Sequence, residues 1–156
     1  MDSEQVSIED NLEEQHQVIV FELGGKEYAL FIEQIKEVVL TPKLARVPLS
    51  PHYIKGVANV RGNILAILDL EERFGLKVKK EVIIAKSNYT LVVESKKYSM
   101  GILVSKVPTT LGINEKNIDF SPNLTYDTKS QRDYVKGLIR LKERIIILID
   151  IFKVIE

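Results

Sequence analysis

Lys55-Gly56-Val57-Ala58-Asn59-Val60-Arg61, followed by Ile64-Leu65-Ala66-Ile67-Leu68-Asp69-Leu70, returns 81 residues later as Lys136-Gly137-Leu138-Ile139-Arg140-Leu141-Lys142 and Ile145-Ile146-Ile147-Leu148-Ile149-Asp150-Ile151. Lys, Gly and Asp recur in register, and apolar positions meet apolar positions without a gap. Each copy reads as two short strands around a turn, Arg61-Gly62-Asn63 in the first, then a helix whose first amides the Asp can cap. Upstream, Lys26, Tyr28 and Ile32 match Lys96, Tyr98 and Ile102 at an offset of 70, and the polar stretch Ser121–Asp133, read as a long mobile loop, gives room for the change from 70 to 81. The repeat predicts two half-length copies of one β unit, related by a pseudo-two-fold and sharing a core.

Working outward, Val18–Leu23 and Lys26–Phe31 flank Gly24-Gly25, a pair able to supply the positive φ of a tight hairpin. Ile32 and Ile35 suggest one helical turn before an extended run at Val38-Val39-Leu40, which Pro42 ends. Ser50-Pro51 has the form of an N-cap with proline at the first helical position, predicting a helical turn over His52-Tyr53-Ile54 closed by Gly56. Asp69 starts a helix through Leu70 and Phe74, and Gly75 stops it. The second half places strands near Val82–Ala85, Thr90–Glu94, Tyr98–Val104, Tyr134–Leu141 and Arg144–Ile149.

The 156 residues, 17.8 kDa, make one domain's worth of chain, with 19 Ile and 16 Val against 5 Ala, a bias toward β-branched residues that pack on a pleated sheet. A mostly β fold with short helices follows. Residues 1–16 read as an acidic mobile tail, and 17–156 as one domain of two half-repeats, about 17–78 and 82–156, with exchange of terminal strands between them compatible with this division. Residues 1–17 hold six Asp or Glu and no Lys or Arg, so the formal charge of zero is the sum of an acidic start and a mildly basic body whose excess is spread along the chain. No basic, apolar leader and no apolar run of membrane-spanning length are present, which predicts a cytoplasmic protein.

Chemistry-bearing patterns are absent. There is no cysteine, and no phosphate-binding glycine loop, HExxH, GxSxG or EF-hand pattern. His16 falls in the tail and His52 in a turn, neither beside a catalytic partner. Glu71-Glu72 sit in a helix's first turn, where carboxylates favour the positive end of the dipole. No enzyme, cofactor or metal is expected. Nucleic-acid binding is also disfavoured: Trp is absent, and Tyr89 and Tyr98 near Lys86, Lys96 and Lys97 suit a solvated hairpin edge. The feature that stands out is Arg61 on a hairpin tip between Gly56 and Gly62. A planar guanidinium is suited to interfaces, and Glu37, just before Val38-Val39-Leu40, is the nearest candidate to pair with it.

In this order, Val18–Leu30, Ile35-Lys36-Glu37-Val38-Val39, Val47-Pro48-Leu49-Ser50-Pro51-His52-Tyr53-Ile54-Lys55-Gly56-Val57-Ala58-Asn59-Val60-Arg61-Gly62 and Leu68-Asp69-Leu70 resemble the CheW family of chemotaxis coupling proteins, from about Gln17 to the C-terminus. The resemblance implies two SH3-like five-stranded barrels around a common core, and no catalysis. It implies an adaptor binding the CheW-like regulatory domain of the histidine kinase CheA and the tip of chemoreceptor cytoplasmic hairpins, together with other CheW copies, recruited from the cytoplasm to membrane-associated arrays without itself entering the membrane or binding nucleic acid. Ile35, Glu37, Val39, Gly56, Val57, Asn59, Arg61 and Gly62 fall on positions the family uses for these contacts, with Arg61 as anchor and Glu37 as its orienting partner. Ser105 stands where the family commonly has Asp, so contacts made through that carboxylate are not carried over. Two other readings remain open: a CheW-like adaptor of a pathway controlling pili or gliding, and an unrelated double-barrel module for peptides or small ligands.

Overall fold

The structure is a computed structural model that describes residues 15–76, 89–97, 99–120 and 134–154. Along the chain run β1 (Gln15–Leu23), β2 (Lys26–Phe31), a 3₁₀ turn (Ile32–Gln34), β3 (Ile35–Leu40), β4 (Ile54–Val60), β5 (Asn63–Leu68) and α1 (Leu70–Arg73). They are followed by β6 (Tyr89–Glu94), β7 (Ser99–Val104), β8 (Thr109–Asn114), a 3₁₀ turn (Glu115–Asn117), β9 (Ile118–Asp119), β10 (Val135–Leu141), β11 (Arg144–Ile149) and α2 (Ile151–Val154).

Two sheets form, in the orders β3-β6-β7-β5-β4 and β8-β1-β2-β11-β10-β9. Chain connectivity shows that the second sheet curls on itself. Its two end strands, β8 and β9, are consecutive in sequence and joined by three residues, whereas a flat six-stranded sheet would hold them ~24 Å apart at the usual strand spacing. The first sheet curls in the same way: beyond its end strand β3, Ala45 exchanges two 2.8 Å backbone hydrogen bonds with Val57 on the opposite end strand β4. Six strands rather than five in the second sheet reflect the two-residue β9, which pairs with Leu138 and Ile139.

Burial on both faces explains why the strands read as near-continuous apolar runs. Val18, Val20, Ala29, Ile139, Ile146 and Leu148 fill the six-stranded barrel, while Ala58, Val60, Leu65, Ile67, Val92 and Leu103 fill the other. The alternate residues, among them Ile19, Phe21, Leu30, Leu68, Leu91, Ile102 and Ile149, meet between the barrels in a shared core.

The two parallel pairings expose the pseudo-symmetry. Ala66 lies opposite Met100, and its equivalent Ile147 lies opposite Tyr28. Met100 therefore occupies the place of Tyr28, and the upstream offset is 72, not the 70 suggested by Lys26, Tyr28 and Ile32. Four residues separate Glu94 from its partner Ser99 where two separate Leu23 from Lys26, and that longer connection displaces the register. The hairpin β1–β2 belongs to the sheet of β10 and β11, and β6–β7 to the sheet of β3, β4 and β5.

Other expectations change. Gln15 and His16 are not tail but the start of β1, and His16 Nε2 lies 2.9 Å from Glu115 Oε1. Ser50-Pro51 starts no helix: the Ser50 hydroxyl donates to the Val47 carbonyl at 2.8 Å, and a single turn closes where Ile54 N–H donates to Pro51 O at 3.0 Å before β4 begins. The strand expected near Val82–Ala85, the loop at Ser121–Asp133 and residues 1–14 lie outside the described residues.

Candidate functional site at the first barrel's hairpin tip

The first barrel's site is built by two one-residue bulges. In β4 the register slips between Ile54 and Gly56. A slip of one residue exchanges the faces of everything beyond it, so Gly56, Ala58 and Val60 turn into the barrel while Val57 and Asn59 turn outward. Only glycine fits at the slip. Gly56 has φ +152°, and a Cβ there would stand 2.5 Å from the Ala45 carbonyl oxygen. Its counterpart Gly137 sits at the equivalent slip in β10, with 2.7 Å between such a Cβ and the Asp119 carbonyl oxygen. Gly56 is buried and sets the backbone path of the site.

In β3 the slip falls between Ile35 and Glu37. Ile35 packs on the shared core and Val39 on the first barrel's own core, so neither is a freely exposed side chain. Glu37 is turned to the barrel side, opposite Val92, while Val38 and Leu40 take the face that Ile35 uses. There the sheet outruns the shared core, leaving Val38 41% and Leu40 72% exposed. On β5, Ile64 opposite Asn59 is 65% exposed. These three apolar side chains were not singled out in the sequence. Three apolar residues in the row Val38-Val39-Leu40 gave no alternation from which to tell inside from outside.

At the hairpin tip the sheet pairs Val60 with Asn63, leaving Arg61 and Gly62 as a two-residue turn. Both have positive φ, 54° and 88°, the combination that matches the right-handed twist of a hairpin. Glycine reaches it freely; arginine does so at a cost of order 1 kcal/mol. The Gly62 amide donates to Asn59 Oδ1 at 2.8 Å, which fixes the turn. Lys142-Glu143, the equivalent turn of the second barrel, has no positive φ.

Held this way, Arg61 Nε donates to Glu37 Oε1 at 2.8 Å. The pair joins a hairpin at one end of the five-stranded sheet to the strand at the other end, and so closes the rim of the barrel. Glu37 is 20% exposed and Arg61 73%. One of the five guanidinium N–H groups is engaged in this bond, and most of the cation faces water.

Among proteins of known sequence and structure, residues 17–156 match the model of the CheW-like domain. The chain belongs to the CheW-like family. It is 35% identical over 142 residues to the chemotaxis protein CheW of Helicobacter pylori, covering 86% of this chain and 84% of that protein. It is 33% identical over 126 residues to protein PilI of Pseudomonas aeruginosa, covering 80% of this chain and 67% of the other. The crystal structure of the scaffolding protein TtCheW from Thermoanaerobacter tengcongensis matches with a TM-score of 0.75 at 28% identity, covering 86% of this chain and 88% of that one. This CheW-like chain is a chemotaxis adaptor by family, a class of scaffold rather than of catalyst. No helix among its described residues is long and apolar enough to cross a membrane.

The repeat also holds a feature that the sequence reading passed over. Tyr53-Ile54-Lys55-Gly56 and Tyr134-Val135-Lys136-Gly137 extend the repeat two positions upstream at the same offset of 81. Both tyrosine carbonyls accept, at 2.8 Å, from the amide of the capping residue, Asp69 or Asp150. Arg73 lies between the two rings, its guanidinium carbon 5.3 Å from the centre of Tyr53 and 5.8 Å from that of Tyr134. This contact spans the two halves of the CheW-like repeat where the barrels meet.

Proposed function

We propose that this protein couples chemoreceptors to the histidine kinase CheA, binding the kinase's regulatory domain and the cytoplasmic tip of the receptors, and that it works within membrane-associated arrays that include further copies of itself. The observation that carries the reading is Arg61. A side chain kept in a left-handed turn, oriented by Glu37 at 2.8 Å and left 73% exposed, spends conformational energy on presentation rather than on packing. On β3 and β5, Val38, Leu40 and Ile64 supply exposed apolar surface, and Asn59, Val57, Gly56 and Gly62 supply the turn and the bulge that hold the tip in place. Contacts of ~1,600 Å² or less suffice, because many weak interfaces in one array reinforce each other.

The experiment is titration of the purified chain with a CheA regulatory domain and, separately, with a receptor cytoplasmic fragment. Binding to both is expected, and binding to neither overturns the reading. The match to PilI favours one second reading, an adaptor of a pilus-controlling pathway. It would show as tighter binding to the kinase and receptor of that pathway than to those serving flagella.

A further inference from the structure

Beyond the hairpin site, the segment Lys43–Pro51 is the least satisfied surface of the first barrel. It is tied down at Ala45, by the two bonds to Val57, and at Pro51–Ile54, and between these points it projects. Leu49 is 105% exposed with φ +63°, a left-handed leucine with no packing to justify it, and Val47 is 41% exposed. From Val38 through Leu68 the sequence has no Asp or Glu and four Lys or Arg. Lys55 and Arg61 are neutralised from outside that span by Glu72 and Glu37. Lys43 and Arg46 are exposed and make no ion pair among the described residues. Elsewhere, exposed Val107 follows Lys106, which pairs with Glu22, and exposed Ile145 follows Arg144, which pairs with Glu27.

The chain carries a segment of the opposite chemistry. Before Gln15 at the start of β1 stand 14 residues with six carboxylates, no Lys or Arg, and the aliphatics Val6, Ile8 and Leu12. Extended, they reach about 45 Å, enough to span a domain of this size. We propose that the acidic N-terminal segment of this chain covers the Lys43–Pro51 loop of the same molecule, its carboxylates on Lys43 and Arg46 and its aliphatic side chains on Val47 and Leu49. The attraction is between exposed charges and so weakens with salt.

Because the chain has no cysteine, Ser3→Cys gives a single site for a nitroxide on the full-length protein, read against ¹⁵N amide signals. Broadening centred on Lys43–Ser50 in ~20 mM salt, lost at about 0.5 M, is expected. A Lys43→Glu/Arg46→Glu chain should lose it while keeping the dispersed spectrum of a folded protein. Mixing spin-labelled ¹⁴N chain with unlabelled ¹⁵N chain should give none. Broadening centred elsewhere, such as Lys96-Lys97, overturns the proposal, as does broadening spread evenly over the surface. Broadening in the mixed sample overturns it as well, by assigning the loop to a second copy.

Discussion

Arg61, in the turn that follows β4, and Glu37, on β3, sit at the two ends of their sheet's hydrogen-bond order, yet Nε and Oε1 are 2.8 Å apart. The pair exists because the sheet curls. It is an exposed contact, and such pairs contribute at most about 1 kcal/mol. Replacing Arg61 by Gly removes the cation but also removes a left-handed arginine, and glycine takes that φ without strain. We predict that Arg61→Gly changes stability by less than about 1 kcal/mol, checked by urea unfolding. Arg61→Ala, which keeps the strain and loses the ion pair, should be the less stable of the two.

Gly56 and Gly137 should resist any side chain. A Cβ meets a main-chain carbonyl at 2.5 Å in one and 2.7 Å in the other, and Gly56 alone adds a φ unsuited to L-residues. Gly56→Ala and Gly137→Ala are each expected to cost about 1–3 kcal/mol, with Gly56→Ala the worse. Thermal unfolding would check the order. A charged residue at Gly56 would test folding rather than recognition.

Asp69 Oδ1 accepts from Glu71 N at 2.9 Å and Glu72 N at 3.3 Å, while Asp150 Oδ1 accepts from Phe152 N at 3.2 Å. Asp69→Ala should therefore cost about 1–2 kcal/mol and Asp150→Ala less. Denaturant midpoints of the two variants give the comparison.

Glu27 on β2 and Arg144 on β11 form two hydrogen bonds, of 3.0 and 2.7 Å, across the parallel strand pair. The Arg144 hydrogen bond, helped by its charge and opposed by burial, lowers the Glu27 pKa. A carboxylate whose pKa falls on folding adds stability above its unfolded value of ~4.3 and loses it as pH drops through the folded value. Glu27→Gln should thus lose less stability than the parent between neutral pH and the acid side of that window, as read from unfolding midpoints across pH.

How much of this was legible follows from where the information lies. The hairpin of β4–β5, its echo in β10–β11 and both capping aspartates were visible because each is local and the spacing between copies is constant. The Glu37–Arg61 pair was visible as a candidate because charged residues are few around it. The offset of the upstream hairpin was misread, since Tyr28 and Tyr98 match in type while a longer turn moves Met100 into the place of Tyr28. β8 went unread because Thr109-Thr110-Leu111-Gly112-Ile113 buries one residue fully and carries a glycine. Ser50-Pro51 misled because an N-cap is defined by what the hydroxyl bonds, and here it bonds a carbonyl behind it. Which side of β3 faces solvent depended on the bulge at Lys36, which nothing in the run Ile35-Lys36-Glu37-Val38-Val39 marks.

The central claim is that Arg61, oriented by Glu37, is the anchor for a protein partner. Calorimetric titration of the Arg61→Gly chain with the CheA regulatory domain and with a receptor cytoplasmic fragment tests it most directly, since that variant keeps the turn. The account predicts a loss of about tenfold or more in affinity for at least one of them, in a protein as stable as the parent. Unchanged affinity for both, in a folded variant, would contradict it.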